Sequence, residues 1–257
     1  LFPKKNEKLF DQHVVIKDCI IEIDNDTNLN IFSKNLRELD ELNCENIQLW
    51  VKGFLNADLI IKFLDTINFF DFLCVEVCFE YPIVSDRFFY IRMIDTYAPI
   101  SKIFIFNSPN NYIYEYLSQH KNQHPMLMGQ LIYIKHSLDS NNCGIINFEN
   151  LSFGVETQFQ INKKFNGCLY KKLTIDVNGE IRNCPYIKSK IKFKTIKEAL
   201  LNSDFQRLWF IKKDDIKVCK DCEFRYNCND CRAFISKDNI YSKPLKCNYN
   251  PYTNEWN

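Results

Sequence analysis

From residue 47 onward, apolar runs of strand length recur at roughly 27 to 29-residue intervals, with stretches of helical period between them. Strands are expected over 47–51, 72–79, 102–106 and 131–134, the rhythm of βα units. Asn56 can cap a helix whose Ile60, Phe63, Leu64 and Ile67 fall on one face. Ser85 opens a second helical run containing Phe88 and Ile91, and a third helix is expected over 111–119. The pattern predicts an α/β fold: a parallel sheet of βα repeats, open or curled into a partial barrel. LRELDELNCENIQL, over 36–49, has the flavour of a leucine-rich repeat, but it does not recur at the next period of about 20 to 29 residues.

The second expected strand carries the most information. In FLCVEVCF, period-two alternation sends Leu73, Val75, Val77 and Phe79 to one face and Cys74, Glu76 and Cys78 to the other. The aliphatic face should pack on helices, leaving the two thiols and the carboxylate on the concave side. Cys74-x3-Cys78-x2-Tyr81 has the spacing of the radical SAM signature with Tyr81 in place of the third cysteine. Because it lies inside a strand rather than on a loop, its thiols are read as structural.

Seven of the twelve cysteines lie within 168–247, an odd number that cannot all pair as disulfides. Between Cys168 and Cys184, Leu173, Ile175 and Val177 alternate with Lys172, Thr174 and Asp176 ahead of Asn178-Gly179, which predicts a β-hairpin with a type I′ turn. That hairpin would carry Cys184 back beside Cys168. Cys219-x2-Cys222-x5-Cys228-x2-Cys231 packs four thiols into thirteen residues, tighter than a zinc ribbon with knuckles roughly 15 to 20 residues apart. Such spacing suits iron–sulfur ligation, in which the last cysteine of a run can serve a neighbouring cluster. The link over 195–211 reads as helical, with Thr195–Glu198 and Ser203–Gln206 as capping boxes and Leu200, Leu208 and Trp209 as apolar contacts.

Cys168-x10-Gly179-x4-Cys184, the central block and the following Cys247 together resemble the seven-cysteine SPASM domain that extends many radical SAM peptide-modifying enzymes. CEFRYNCNDCRAF over 222–234 and KPLKCNYNPYTNEW over 243–256 are similar, more narrowly, to the SPASM peptide maturases of grasp-with-spasm systems. The resemblance implies two domains: a degenerate radical-SAM-like partial barrel over 1–160 and a cysteine-rich SPASM domain with a β-hairpin and short helices over 161–257. It further implies two auxiliary 4Fe-4S clusters, one held by Cys219, Cys222, Cys228 and Cys247, the other by Cys168, Cys184 and Cys231. Some members have a further cysteine shortly before the first, a place taken here by Asn162, which leaves one position open, with Cys143 the first candidate for a missing ligand. Implied partners are a ribosomally made precursor peptide and an ATP-grasp ligase. The chain begins at Leu1, and the resemblance implies an additional N-terminal segment.

At 257 residues, 46% of them hydrophobic, the chain can bury a large core. A net charge of +1 supplies no field for nucleic acid or an anionic membrane, and no apolar run reaches the roughly 18 residues that would span a bilayer. Unpaired thiols in a metal spacing fit a reducing compartment, so the cytoplasm is expected. Only six glycines occur, all isolated, with no phosphate loop, no dinucleotide fingerprint and no Gly-Gly-Glu stretch for S-adenosylmethionine. His13, His120, His124 and His136 are scattered.

The sequence thus supports a peptide-binding SPASM protein that works in peptide maturation without cleaving S-adenosylmethionine. Two alternatives compete: a redox or ligand-activating enzyme using the three-cysteine cluster, and a zinc-stabilised interaction module, because zinc accepts the same ligands.

Overall fold

The computed structural model describes residues 15–81, 87–117, 128–188, 191–237 and 239–256. It is an α/β structure organised by one eight-stranded, mostly parallel sheet. In chain order the elements of the sheet region are β1 (Asp18–Ile23), α1 (Leu29–Glu41), β2 (Asn46–Val51), α2 (Ala57–Ile67), β3 (Cys74–Glu80), α3 (Arg87–Thr96), β4 (Ile100–Phe106), β5 (Tyr112–Leu117) and β6 (Met128–Tyr133). There follow α4 (Glu156–Lys164), β7 (Lys172–Ile175), β8 (Ile181–Arg182), α5 (Ile196–Leu201), α6 (Ser203–Phe210) and the small ribbon β9 (Tyr249–Asn250) and β10 (Glu255–Trp256). The strand order is β5-β6-β4-β3-β2-β1-β7-β8, so the sheet runs open from β5 to β8. Both of those end strands pair antiparallel, and every other pairing in the sheet is parallel.

The core lies on one face of this sheet. Val75, Val77 and Phe79 are fully buried in line with Ile21, Leu49 and Ile103 of the neighbouring strands, as the alternation in β3 requires, whereas Leu73, expected on the same face, precedes the strand and is 74% exposed. Phe32, Leu36 and Leu39 of α1, the four predicted positions of α2, and Met93 and Ile94 of α3 close over them. At about 1.5 to 3 kcal/mol for each large apolar side chain, this face is the main source of cohesion. Asn56 caps α2 as expected, accepting a hydrogen bond from the Leu59 amide at 2.7 Å.

The opposite face is mixed. Thr174, Ile20, Gln48, Glu76, Lys102 and Gln130 align across six strands. Gln48 links Glu76 to the indole of Trp50, donating to the carboxylate at 2.9 Å and accepting from the ring at 2.7 Å. The apolar side chains Ile20, Trp50 and Cys78 cluster there, covered by Leu138 and Tyr186 among others, and Thr174 is buried on the same face.

Several expectations need correction. Over 112–117 the chain is strand β5, not helix: Tyr-Ile-Tyr-Glu-Tyr-Leu is β-prone and pairs with β6, and Tyr112 stacks on Tyr133 with ring centroids 4.1 Å apart. Residues 118–119 and Ser85 lie outside the described residues, whereas Phe88 and Ile91 fall in α3. A further βα unit, β1 and α1, precedes the expected first strand, and the stretch resembling a leucine-rich repeat is the end of α1 leading into β2. At the hairpin, Gly179 alone is left-handed (φ +79°) and its amide bonds the Asp176 carbonyl at 2.8 Å. This is a type I turn with a glycine bulge rather than type I′, held by Asp176 accepting from the amides of Asn178 and Glu180. α6 is capped by Asn202 rather than Ser203, while Thr195 caps α5 as expected. The hairpin adds its strands to the sheet, β7 pairing with β1, so the sheet crosses the expected boundary at residue 160.

Candidate metal centre

The seven cysteines are delivered by turns. Cys219 opens a short 3-10 turn, Lys213–Asp215 forms another just before it, and the amides of Cys222 and Arg225 bond back to the carbonyls of Cys219 and Cys222. Val218, a β-branched residue, is held at φ +73° immediately before Cys219, a conformation that costs on the order of 1–3 kcal/mol and is sustained by the packing around it. Cys219, Cys222, Cys228 and Cys247 line one hollow, roofed by Phe224, Tyr249 and Trp256, whose rings contact one another. The β9–β10 ribbon places two of those rings. Burial pushes the Cys228 thiol up to about 11 against the pull of Lys213, and it raises Cys219 and Cys222 as well.

Cys168 precedes β7 and Cys184 follows β8, so the hairpin returns one beside the other. Both line a second hollow with Cys231, with Cys143, which arrives on the loop after β6, and with Cys228, which the two hollows share. Burial, followed by the charges of Cys168 and Cys231, pushes Cys143 up to about 11. Cys184 rises to about 12, from burial first and then from Cys168, Cys143 and Cys231. Thiols so buried, each raising its neighbours, form a site that a soft cation would discharge by taking them as thiolates. Among the described residues, no three His, Cys, Asp or Glu side chains converge on the position of a single ion; the thiols of each set face a shared hollow instead.

A charged network that sequence reasoning missed stands between the two sets. Asp230 is 1% exposed and accepts from Lys213 Nζ (2.8 Å), Arg232 Nη2 (2.7 Å) and Asn166 Nδ2 (2.8 Å), and Arg232 Nε closes a second contact. Lys213 Nζ also lies 3.9 Å from Cys219 Sγ, and Asn166 Oδ1 accepts from the Cys168 amide at 3.1 Å. The network therefore runs from one thiol set to the other. Burial works against the Lys213 ammonium, but Asp230 and the thiols of Cys228 and Cys219 hold it protonated, well above its ordinary range. In sequence, Lys213 sits in a polar Lys-Lys-Asp-Asp run that reads as solvated surface.

Cys74 and Cys78 sit within β3, Cys78 buried against Ile20 and Trp50 and Cys74 half-buried, with Tyr81 exposed beyond the strand. Burial raises both thiols. Cys19 and Cys44 are buried structural thiols on the core side. His136 is exposed, and the other three histidines lie outside the described residues. No described helix is long and apolar enough to cross a membrane. Compared with protein-family models, curated proteins and solved structures, the chain has no match.

Proposed function

We propose that this chain is an iron–sulfur SPASM protein that binds a ribosomally made precursor peptide and acts beside an ATP-grasp ligase in its maturation, in the cytoplasm and without cleaving S-adenosylmethionine. The observation that carries the reading is the gathering of eight cysteines around two adjoining hollows: Cys219, Cys222, Cys228 and Cys247 line one, Cys143, Cys168, Cys184 and Cys231 line the other, and Cys228 reaches both. With Cys228 counted to the first hollow, four soft thiols for each match the donors that one 4Fe-4S cluster takes. When bound, such clusters supply one-electron storage and transfer. The residues of this chain tune that property: Lys213 and Arg232 outnumber Asp230 by one positive charge at the wall between the sets, favouring the more negative, reduced state.

The peptide would lie along the mixed face of the sheet or add to the β5 edge as a further strand, where Tyr112, Ile113 and Leu117 are exposed. Trp50, Tyr186 and Phe234 form a chain of ring contacts, at centroid separations of 6.4 and 6.0 Å, from the mixed face to the neighbourhood of Cys231. Substrate surface and candidate cluster thus adjoin.

The test is anaerobic purification of the full chain, followed by iron, sulfide and zinc analysis and by titration with a precursor peptide encoded beside an ATP-grasp ligase. About eight iron and eight sulfide per chain, with peptide binding, are the expected result. Stoichiometric zinc without sulfide would convert the reading to a zinc-stabilised module, and clusters without peptide binding would remove the maturation role.

A further inference from the structure

We infer that Cys143 is the fourth thiolate of the site formed by Cys168, Cys184 and Cys231, so that this site has no open iron. The inference rests on the cluster reading above and assigns a ligand from outside the cysteine-rich segment.

Three independent features place Cys143 there. It lines the same hollow as the other three thiols; the described wall carries no His, Asp, Glu or Tyr, and its one further thiol, Cys228, also lines the other hollow with Cys219, Cys222 and Cys247. Its neighbour Gly144 is left-handed (φ +75°), and a Cβ built there would meet Cys231 Sγ at 2.7 Å. The backbone of the loop is therefore laid directly on the partner thiol, an approach only glycine permits.

The loop is also tied down. The Cys143 amide donates to the Asp139 carbonyl at 3.1 Å, and the Asp139 side chain accepts from the amides of Asn141 and Asn142. Lys246 Nζ donates to the Cys143 carbonyl at 2.8 Å, and Ile146 makes a parallel bridge to Cys247. The strap that presents Cys143 to one site is thus fastened to the segment that presents Cys247 to the other.

Asn162, the alternative position, is already committed. Its side chain is buried, Oδ1 accepts from Gln158 Nε2 at 2.8 Å, and Nδ2 donates to the Tyr226 carbonyl at 2.9 Å and to Asn229 Oδ1 at 3.2 Å. It does not line the hollow. Ligation by Cys143 releases its thiol proton to solvent and forms one iron–sulfur bond, with no change of oxidation state. The completed site is suited to electron transfer and leaves no coordination position for a substrate.

The experiment uses the full chain, reconstituted anaerobically, with electron paramagnetic resonance of the dithionite-reduced protein before and after addition of imidazole. Wild type is expected to hold two clusters whose spectra imidazole leaves unchanged. Cys143→Ala is expected either to lose half of the iron or to keep two clusters, one of which now shifts with imidazole. A wild-type cluster that itself responds to imidazole would overturn the inference, and that measurement needs no variant to fold. A Cys143→Ala protein with wild-type iron and an unresponsive spectrum would overturn it as well. Wild-type protein holding neither iron nor sulfide would instead bring down the cluster reading, and this assignment with it.

Discussion

At Asp230 three buried donors converge, two of them cations that are 3% and 4% exposed. Removing the carboxylate therefore takes the shared counter-ion from both cations, leaving Lys213 to the Cys219 thiol and Arg232 to the carbonyls of Ile240 and Ser242, whereas removing Lys213 leaves Asp230 still paired with Arg232 and Asn166. Breaking a buried pair from the side that strands a charge costs about 3–5 kcal/mol. Asp230→Ala is expected to lose that much in anaerobic denaturant titration, and Lys213→Met clearly less. Equal losses from the two variants would show that the network is not organised around the carboxylate. The same residue was invisible to sequence reasoning, because Asn-Asp-Cys-Arg between thiols carries no sign of which charges will be desolvated.

β3 is the element on which the proposal that the chain does not cleave S-adenosylmethionine turns. Cys74 and Cys78 are four residues apart on one face, roughly 13 Å at about 3.3 Å per residue, and the strand is paired on both sides, by β2 and β4. The two thiols cannot meet one cluster without breaking both ladders, and Tyr81 presents a phenol beyond the strand end. Reconstituted protein given dithionite and S-adenosylmethionine is expected to form no 5′-deoxyadenosine. Catalytic formation that disappears in Cys74→Ala would reinstate a full radical enzyme. The two faces of β3 were legible because alternation with period two needs no tertiary information. β5 was not: its six residues are half-exposed edge strand, and only pairing with β6, around Gly129 where Tyr116 would meet a Cβ at 2.6 Å, fixes them as extended.

At the scale of the molecule, the two thiol sites and the sheet are one unit. The hairpin that carries Cys168 and Cys184 extends the sheet from β1, α5 and α6 pack Ile196, Phe205 and Trp209 into the same core, and the Cys143 loop bridges to Cys247. Metal-binding free energy in a site absent from the unfolded chain becomes folding free energy. Cys222→Ser is accordingly expected to lose one cluster and to lower the melting temperature of the whole protein in a single transition. Unchanged metal content and melting would count against the ligand set.

What the sequence determined by itself is whatever repeats locally: the βα rhythm, the apolar stripe of α2 and its Asn56 cap, the two faces of β3, and the dense thiol spacing after residue 168. The stripe, the cap and the strand faces rest on intervals of two, three or four residues, which the backbone converts into a face or a turn without reference to anything distant. Tertiary structure decided the rest. It set the place of β1 inside the sheet between β2 and β7, the burial of Lys213 and Arg232 against Asp230, and the arrival of Cys143 beside Cys231 across 88 residues of chain. Burial and charge pairing depend on which segments come to share a volume, and no local period encodes that.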